Sequence, residues 1–85
     1  MIKGFIEAAL KGPVTVEFEK INTGELRVMP CTLNRELSNG NVPEIVEQRE
    51  NSDHLAVWCL DKDAWRSFRV NTVKNWYEGY PNATN

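Results

Sequence analysis

The segment LAVWCLDKDAWRSFRVNTV, residues 55–73, decides the fold of this chain. It contains two apolar runs that are separated by the polar triplet Asp61-Lys62-Asp63. Short apolar runs bounded by turn residues are typical of β-strands. We therefore predict two strands, His54–Leu60 and Ala64–Val70, that pair as an antiparallel hairpin. The first of them is apolar on both faces, which predicts a central position in the sheet.

The register of this hairpin determines which side chains reach the core. If Lys62 and Asp63 occupy the turn, Val57 lies opposite Phe68 and Leu60 lies opposite Trp65. The predicted core face contains Leu55, Val57, Cys59, Phe68 and Val70. The other face contains Ala56, Trp58, Leu60, Trp65, Ser67 and Arg69. Because side chains alternate along a strand, a slip of one residue would exchange the two faces.

A second predicted hairpin precedes the first along the chain. Apolar and polar residues alternate in VTVEFEK, residues 14–20, which predicts a half-buried strand. Asn22-Thr23-Gly24 has the composition of a turn, and Glu25–Leu33 returns as the second strand. Pro30 has no amide donor, so we expect an edge or a bulge there. This hairpin adds three residues to the predicted core, Val14, Val16 and Phe18.

The rest of the chain is predicted to be helix, loop and tail. Apolar spacing predicts a short helix at Ile2–Lys11, which Gly12-Pro13 ends. Residues 34–53 form a long loop with two basic and five acidic residues, and a short acidic helix is predicted within it at Val42–Glu50. Thr72–Tyr77 is predicted to form a helical turn or a 3₁₀ connector, and residues 82–85 a frayed tail.

Size and composition exclude several classes of protein. The 85 residues are enough for one domain but leave no volume for an enclosed cofactor cavity. No apolar run is long enough for a membrane-spanning helix. The first ten residues carry Glu7 and lack a cleavage-type ending, so we expect no export signal. These features predict no cofactor, no membrane association and a cytoplasmic location.

The candidate catalytic and metal-binding residues are few and scattered. The single histidine, His54, has no nucleophile beside it in sequence. Cys31 and Cys59 lie in apolar strands, which predicts two buried, reduced thiols rather than a disulfide or a nucleophile. Two distant cysteines and one histidine do not make a zinc site. Asp61 and Asp63 are typical of turn residues. We therefore predict no catalytic residue, no metal site and no enzymatic activity.

Basic and aromatic residues are concentrated in the last third of the chain. The net charge is −2, yet residues 64–77 contain three basic residues and no acid. Single-stranded RNA is bound by stacking bases on aromatic rings and by pairing phosphates with Arg or Lys. The alternative is that the aromatic rings are core and the cations a solvated face. The predicted RNA-binding residues are Trp65, Arg66, Arg69 and Lys74.

Two strings carry a family resemblance, Arg27-Val28-Met29-Pro30-Cys31-Thr32-Leu33 and Trp65-Arg66-Ser67-Phe68-Arg69. With the valine-rich first strand, they resemble the family of small bacteriophage proteins with an Sm-like, SH3-type β-barrel fold. The resemblance covers about residues 14–73, and the loop at 34–53 departs from it. It implies a mainly β protein with an N-terminal helix at 1–12, an SH3/Sm-like antiparallel barrel at 13–78 and a tail at 79–85.

The resemblance also implies a function in the cytoplasm of the infected bacterial host. A phage protein of this size and layout is expected to bind RNA and to inhibit the endoribonuclease toxin of a type III toxin–antitoxin system (ToxN-like), in a complex that contains RNA. Two alternatives stay open: a protein-binding module that blocks a host factor through the acidic loop, and an accessory of phage structure or assembly. The apolar second face, with Trp58, Leu60 and Trp65, predicts a homodimer.

Overall fold

The computed structural model describes residues 2–43 and 53–81 as one helix and a five-stranded sheet. All strand pairs are antiparallel, in the order β4-β3-β2-β1-β5. A 3₁₀ turn at Val70–Thr72 joins the last two strands. The elements are α1 (Ile2–Lys11), β1 (Val14–Glu19), β2 (Leu26–Thr32), β3 (His54–Cys59), β4 (Ala64–Arg69) and β5 (Val73–Glu78).

The sheet bends far enough to bring distant strands into contact. Strands β1 and β4 are separated by two strands in the sheet order, yet the rings of Phe18 and Phe68 stack with their centroids 5.3 Å apart. Phe5 of α1 meets Phe68 edge-on at 5.9 Å and Trp76 of β5 at 5.6 Å. The helix therefore covers a core enclosed by the bent sheet, which is the predicted small barrel with a short N-terminal helix.

The predicted core residues lie in or against this core. Val14, Val16, Leu55, Val57 and Phe68 are buried. Phe18 and Val70 are partly buried and pack against the cluster.

The N-terminal helix is attached to the sheet by hydrogen bonds as well as by packing. The Thr32 hydroxyl lies 3.0 Å from the carbonyl oxygen of Ala9 and 2.8 Å from that of Gly12, and its one hydrogen is shared between these two acceptors. The backbone N–H of Leu33 also donates to Ala9. These bonds satisfy carbonyl groups at the end of α1 that have no partner within the helix. The helix ends at Lys11, as the Gly12-Pro13 pair predicts.

Pro30 marks the point after which β2 pairs with β3 as well as with β1. On the side of β1, β2 pairs along all but its last residue, from Leu26 opposite Glu19 to Cys31 opposite Val14. On the side of β3, the ladder includes only Cys31 and Thr32. Because Pro30 cannot donate a hydrogen bond, the β3 ladder begins just after it, and the predicted edge lies on this side of the strand.

The predicted register of the β3–β4 hairpin is wrong by two residues. Leu55, not Val57, lies opposite Phe68, and Trp58, not Leu60, lies opposite Trp65. The turn has four residues, Leu60 to Asp63, and Asp63 adopts a positive φ of 53°. A shift of two residues keeps each side chain on its predicted face. The division into core and outer faces is therefore correct, except that Leu60 belongs to the turn.

The helical turn predicted at Thr72–Tyr77 is also wrong. The 3₁₀ turn comes earlier, at Val70–Thr72, and the following residues form β5, which pairs with β1. Val73 lies opposite Phe18 and Trp76 lies opposite Val16, with a shift in register between these pairs. The two core-facing residues are therefore three positions apart, a spacing that is typical of a helix rather than of a regular strand.

Two further predictions fall mostly outside the described residues. Of the predicted helix at Val42–Glu50, only Val42 and Pro43 are described, and they are not helical. The predicted tail at 82–85 is not described.

Gly79, which follows β5, donates its N–H to Pro13 and accepts a hydrogen bond from the Thr15 hydroxyl. In the described part of the chain, no helix has both the length and the apolar character needed to cross a membrane.

Candidate nucleic-acid interface

The β3–β4 ladder presents one face away from the core. Three cross-strand pairs form it, and we call them together the outer face: Trp58 with Trp65, Ala56 with Ser67, and His54 with Arg69. Large aromatic rings lie at one end of this face, small side chains in the middle and basic side chains at the other end. Trp65 and Arg69 are four residues apart on one strand, about 13 Å at ~3.3 Å per residue.

The aromatic end consists of two tryptophan rings in edge-to-face contact. The ring centroids of Trp58 and Trp65 are 5.8 Å apart with an interplanar angle of 87°. Trp58 is only 7% exposed, whereas Trp65 is 42% exposed. The contact with the buried Trp58 ring holds the Trp65 ring in place and leaves it accessible to solvent. A fixed, exposed aromatic ring is the element on which a nucleic-acid base stacks.

The indole N–H of Trp58 is buried and lacks a hydrogen-bond partner within residues 2–43 and 53–81. An unsatisfied buried donor of this kind costs about 1–3 kcal/mol. Such groups are rare in folded proteins and call for an explanation, of which a functional site is one. Trp58 belongs to the same face as Trp65, so its unsatisfied donor is a second indication of a functional site at the aromatic end of the outer face.

The basic end of the outer face is fixed by backbone contacts. Arg69 is the last residue of β4, and its carbonyl oxygen accepts the Thr72 hydroxyl at 2.7 Å. The N–H of Val70 donates to the carbonyl of Asp53, which ties the ends of β3 and β4 together. The Arg69 guanidinium is exposed and has no ion-pair partner in the described part of the chain. It is therefore available to an anion from solution.

Arg27, in contrast to Arg69, forms an ion pair within the protein. Its guanidinium forms an ion pair with Asp61 at 3.2 Å, and the Cys59 thiol donates to the same carboxylate at 2.7 Å. Burial raises the pKa of Asp61, but the hydrogen bonds from Cys59 and Arg27 and the charge of Arg27 lower it overall. These contacts hold Asp61 in the four-residue turn. Arg27 is therefore a structural residue, and its pairing with Asp61 joins positions that are distant in the sequence.

Arg66 and Lys74 do not share the outer face with Trp65 and Arg69. Arg66 lies opposite Val57, on the other side of β4, where it is exposed and donates to the carbonyl oxygen of Trp65 at 3.1 Å. Lys74 is exposed on β5, beyond the 3₁₀ turn. The structure thus brings Trp65 and Arg69 onto one surface, with Arg66 on the opposite side of β4 and Lys74 on β5.

Four outer-face residues were absent from the predicted site: His54, Ala56, Trp58 and Ser67. Alternation along the strands already placed Ala56 and Ser67 on the face of Trp65 and Arg69. The same alternation puts His54 on this face, and only its pairing with Arg69 depends on the register that the four-residue turn sets.

The two cysteines lie opposite each other on β2 and β3 as buried free thiols. Burial raises the pKa of Cys31 to about 12, and the charges of Cys59 and Asp61 act in the same direction. The pKa of Cys59 is raised by burial and by its hydrogen bond to Asp61. Both thiols are therefore protonated at neutral pH, which is unfavourable for a nucleophile. No cluster of three or more metal-ligating side chains occurs among the described residues.

Comparison with known proteins adds the family to this description. No curated protein and no solved structure matches the chain. One family model matches residues 4–74, which include most of α1, all four strands from β1 to β4 and the start of β5. The chain belongs to the family that this model describes as WYL_2, with an Sm-like SH3 β-barrel fold.

Proposed function

We propose that this protein is a phage counter-defence protein that binds RNA and inhibits the endoribonuclease toxin of a type III toxin–antitoxin system (ToxN-like) in the cytoplasm of the infected host. Its length of 85 residues and its layout resemble those of TifA, the inhibitor of ToxN from T-even phages. Family membership supports the fold alone, because one fold serves many functions. The case for RNA binding therefore rests on the outer face.

One observation carries the proposal: an exposed aromatic ring and an unpaired guanidinium share a face that has no acid on either strand. Residues 54–60 and 64–77 contain no Asp or Glu, although the whole chain has a net charge of −2. Trp65 offers a stacking surface, and Arg69 offers a charge for a phosphate. Ala56 and Ser67 between them are small, so a nucleic-acid strand can approach the sheet closely.

The remaining predicted residues extend this surface around β4. This strand is at the edge of the described sheet, so the Arg66 side chain lies beside an open edge. Lys74 follows Arg69 across the 3₁₀ turn. We propose that Arg66, Arg69 and Lys74 contact successive phosphates while Trp65 stacks on one base. Three phosphate contacts on a single strand predict a log–log salt dependence of the affinity with a slope of about −2.

The two alternative functions are less well supported. Direct blocking of a host protein was predicted from the acidic loop, but residues 44–52 of that loop are outside the described part of the chain. An accessory role in phage assembly has no specific observation behind it.

The predicted homodimer has a smaller apolar surface than expected, because Trp58 is buried and leaves Trp65 as the exposed ring of the outer face.

The test is reversal of the two arginines, Arg66→Glu with Arg69→Glu. The expected result is loss of RNA binding in vitro and loss of protection against the toxin in cells. The matched control reverses two exposed lysines on α1, Lys3→Glu with Lys11→Glu, which changes the net charge by the same amount. This control should retain both activities. Melting curves by circular dichroism establish that both variants fold.

One result would overturn the proposal. If the arginine variant is folded and has lost RNA binding but still protects cells from the toxin, RNA binding is incidental to protection. Direct contact with the toxin protein would then be the mechanism, and the acidic loop would be the next surface to change.

A further inference from the structure

An open groove of about 350 Å³ lies at the basic end of the outer face. It is bounded on one side by the turn after β1 and on the other by the end of β4 and the 3₁₀ turn. The stacked rings of Phe18 and Phe68 lie among its lining residues, and so does Ile21. Ile21 is 70% exposed. The groove therefore offers apolar surface, part of it in direct contact with solvent.

The polar lining of the groove favours an anionic ligand. Lys20 and Arg69 lie on opposite sides of it, and Glu19 is the one acid among the lining residues that the structure describes. Ser67 and Asn22 add neutral polar groups. A small apolar surface with a few polar groups around it is the usual composition of a ligand site, and ~350 Å³ is at the small end of the range for such sites. The composition fits one planar ring system that carries phosphate.

The groove is also continuous with the outer face. His54, Ser67 and Arg69 belong to the outer face and line the groove as well. A strand of RNA that stacks on Trp65 and runs along β4 therefore reaches the groove at Arg69. A base in a duplex is stacked and paired, whereas an unpaired base is free to turn into a pocket.

We infer that this groove holds one unpaired base of single-stranded RNA, with Lys20 and Arg69 contacting the adjoining phosphates. The inference rests on the proposed function and deepens it. It makes single-stranded RNA the ligand and adds Lys20, Ile21 and Asn22 to the binding surface. None of these three residues lies in the basic segment from which the site was predicted.

The test uses a labelled six-nucleotide uridine RNA and an abasic ribose-phosphate oligomer of the same length. Fluorescence anisotropy measures the affinity of the wild-type protein and of the Ile21→Ser variant for each. The variant should bind the uridine RNA at least about five-fold more weakly, because it loses the apolar contact between the Ile21 side chain and the base. Its affinity for the abasic oligomer should be unchanged. The control Leu10→Ser, which changes an exposed leucine on α1, should alter neither affinity.

A second experiment locates the RNA on the unmodified protein. A uridine hexamer that contains 4-thiouridine is crosslinked to the wild-type chain by light, and the attached peptide is identified. Crosslinks within residues 18–22 support the groove. Crosslinks confined to residues 54–69, with no effect of Ile21→Ser on the uridine RNA, overturn it and leave the proposed function in place. Failure of the wild-type protein to bind either oligomer or any other RNA overturns both proposals.

If Ile21→Ser reduces binding to the toxin protein but not to the uridine RNA, the groove holds a peptide side chain and the inference is wrong. Because Ile21 is exposed in a turn, Ile21→Ser should fold normally, and a melting curve for each variant checks this.

Discussion

Replacement of Trp65 by alanine should weaken RNA binding without changing its dependence on salt. The Trp65 ring is 42% exposed, carries no charge and lies on the same face as Arg69. Loss of one stacked base costs about 1–3 kcal/mol, or about 5- to 150-fold in affinity. The salt dependence reports the number of phosphate contacts, which this substitution leaves intact, so the slope should stay at about −2.

The same substitution should have a modest effect on stability. Trp65→Ala removes the edge-to-face contact with Trp58, and such aromatic pairs contribute about 0.5–1.5 kcal/mol beyond their buried area. Small domains are stable by about 5–15 kcal/mol, so the variant should fold. Any loss of RNA binding then reports the missing ring and not the missing fold.

The assay is fluorescence anisotropy with the uridine hexamer over a series of salt concentrations. Trp65→Phe is the first control, because it keeps an aromatic ring and should retain most of the affinity. Arg69→Gln is the second, because it should lower the magnitude of the slope by about 0.7. An unchanged affinity for Trp65→Ala, or a slope that falls as it does for Arg69→Gln, would refute the assignment of Trp65 as a stacking surface.

Three predictions concern the fold itself. Phe68→Ala should cost about 3–5 kcal/mol in the free energy of unfolding, because Phe68 is 4% exposed and packs on two rings; a nearly unchanged melting temperature would contradict this. Cys31 and Cys59 should react slowly with a thiol reagent in the native protein and rapidly after denaturation, since both are buried and their pKa values are raised. Because the pKa of Asp61 is lowered in the folded state, its contribution to stability is present above the ordinary carboxyl pKa and is lost as the pH falls through the folded value. Asp61→Asn should therefore flatten the acid limb of the stability curve, and an unchanged limb would show that the Arg27 contact has no energetic weight.

The strands and their faces were readable from the sequence because they depend on local alternation. Val14 and Val16 on β1, and Leu55 and Val57 on β3, are buried as the period of two predicts. The same alternation placed Trp65 and Arg69 together on the outer face. These inferences need only the direction in which successive side chains point.

The register and the last strand were not readable, because they depend on contacts between distant residues. The four-residue turn is stabilised by Arg27 of β2, which lies 34 positions before its partner Asp61. In β5, the shift in register puts Val73 and Trp76 on the core side three positions apart, so local spacing indicates a helix. The groove was missed for the same reason, since it joins the turn after β1 to the end of β4.

Strand β4 separates stability from binding by the direction of its side chains. Phe68 points into the core, while Trp65, Ser67 and Arg69 point outwards from the same six-residue strand. In a domain this small, one strand contributes both to the core and to the binding surface. The alternation of side chains separates Phe68 from the outer-face residues Trp65, Ser67 and Arg69. Substitutions at Ser67 and Arg69 should therefore change RNA affinity at nearly constant melting temperature, whereas Phe68 variants should lower the melting temperature and lose RNA only on unfolding. If Arg69 variants melted as early as Phe68 variants, the outer face would be part of the structural core and the RNA-binding surface would have to lie elsewhere.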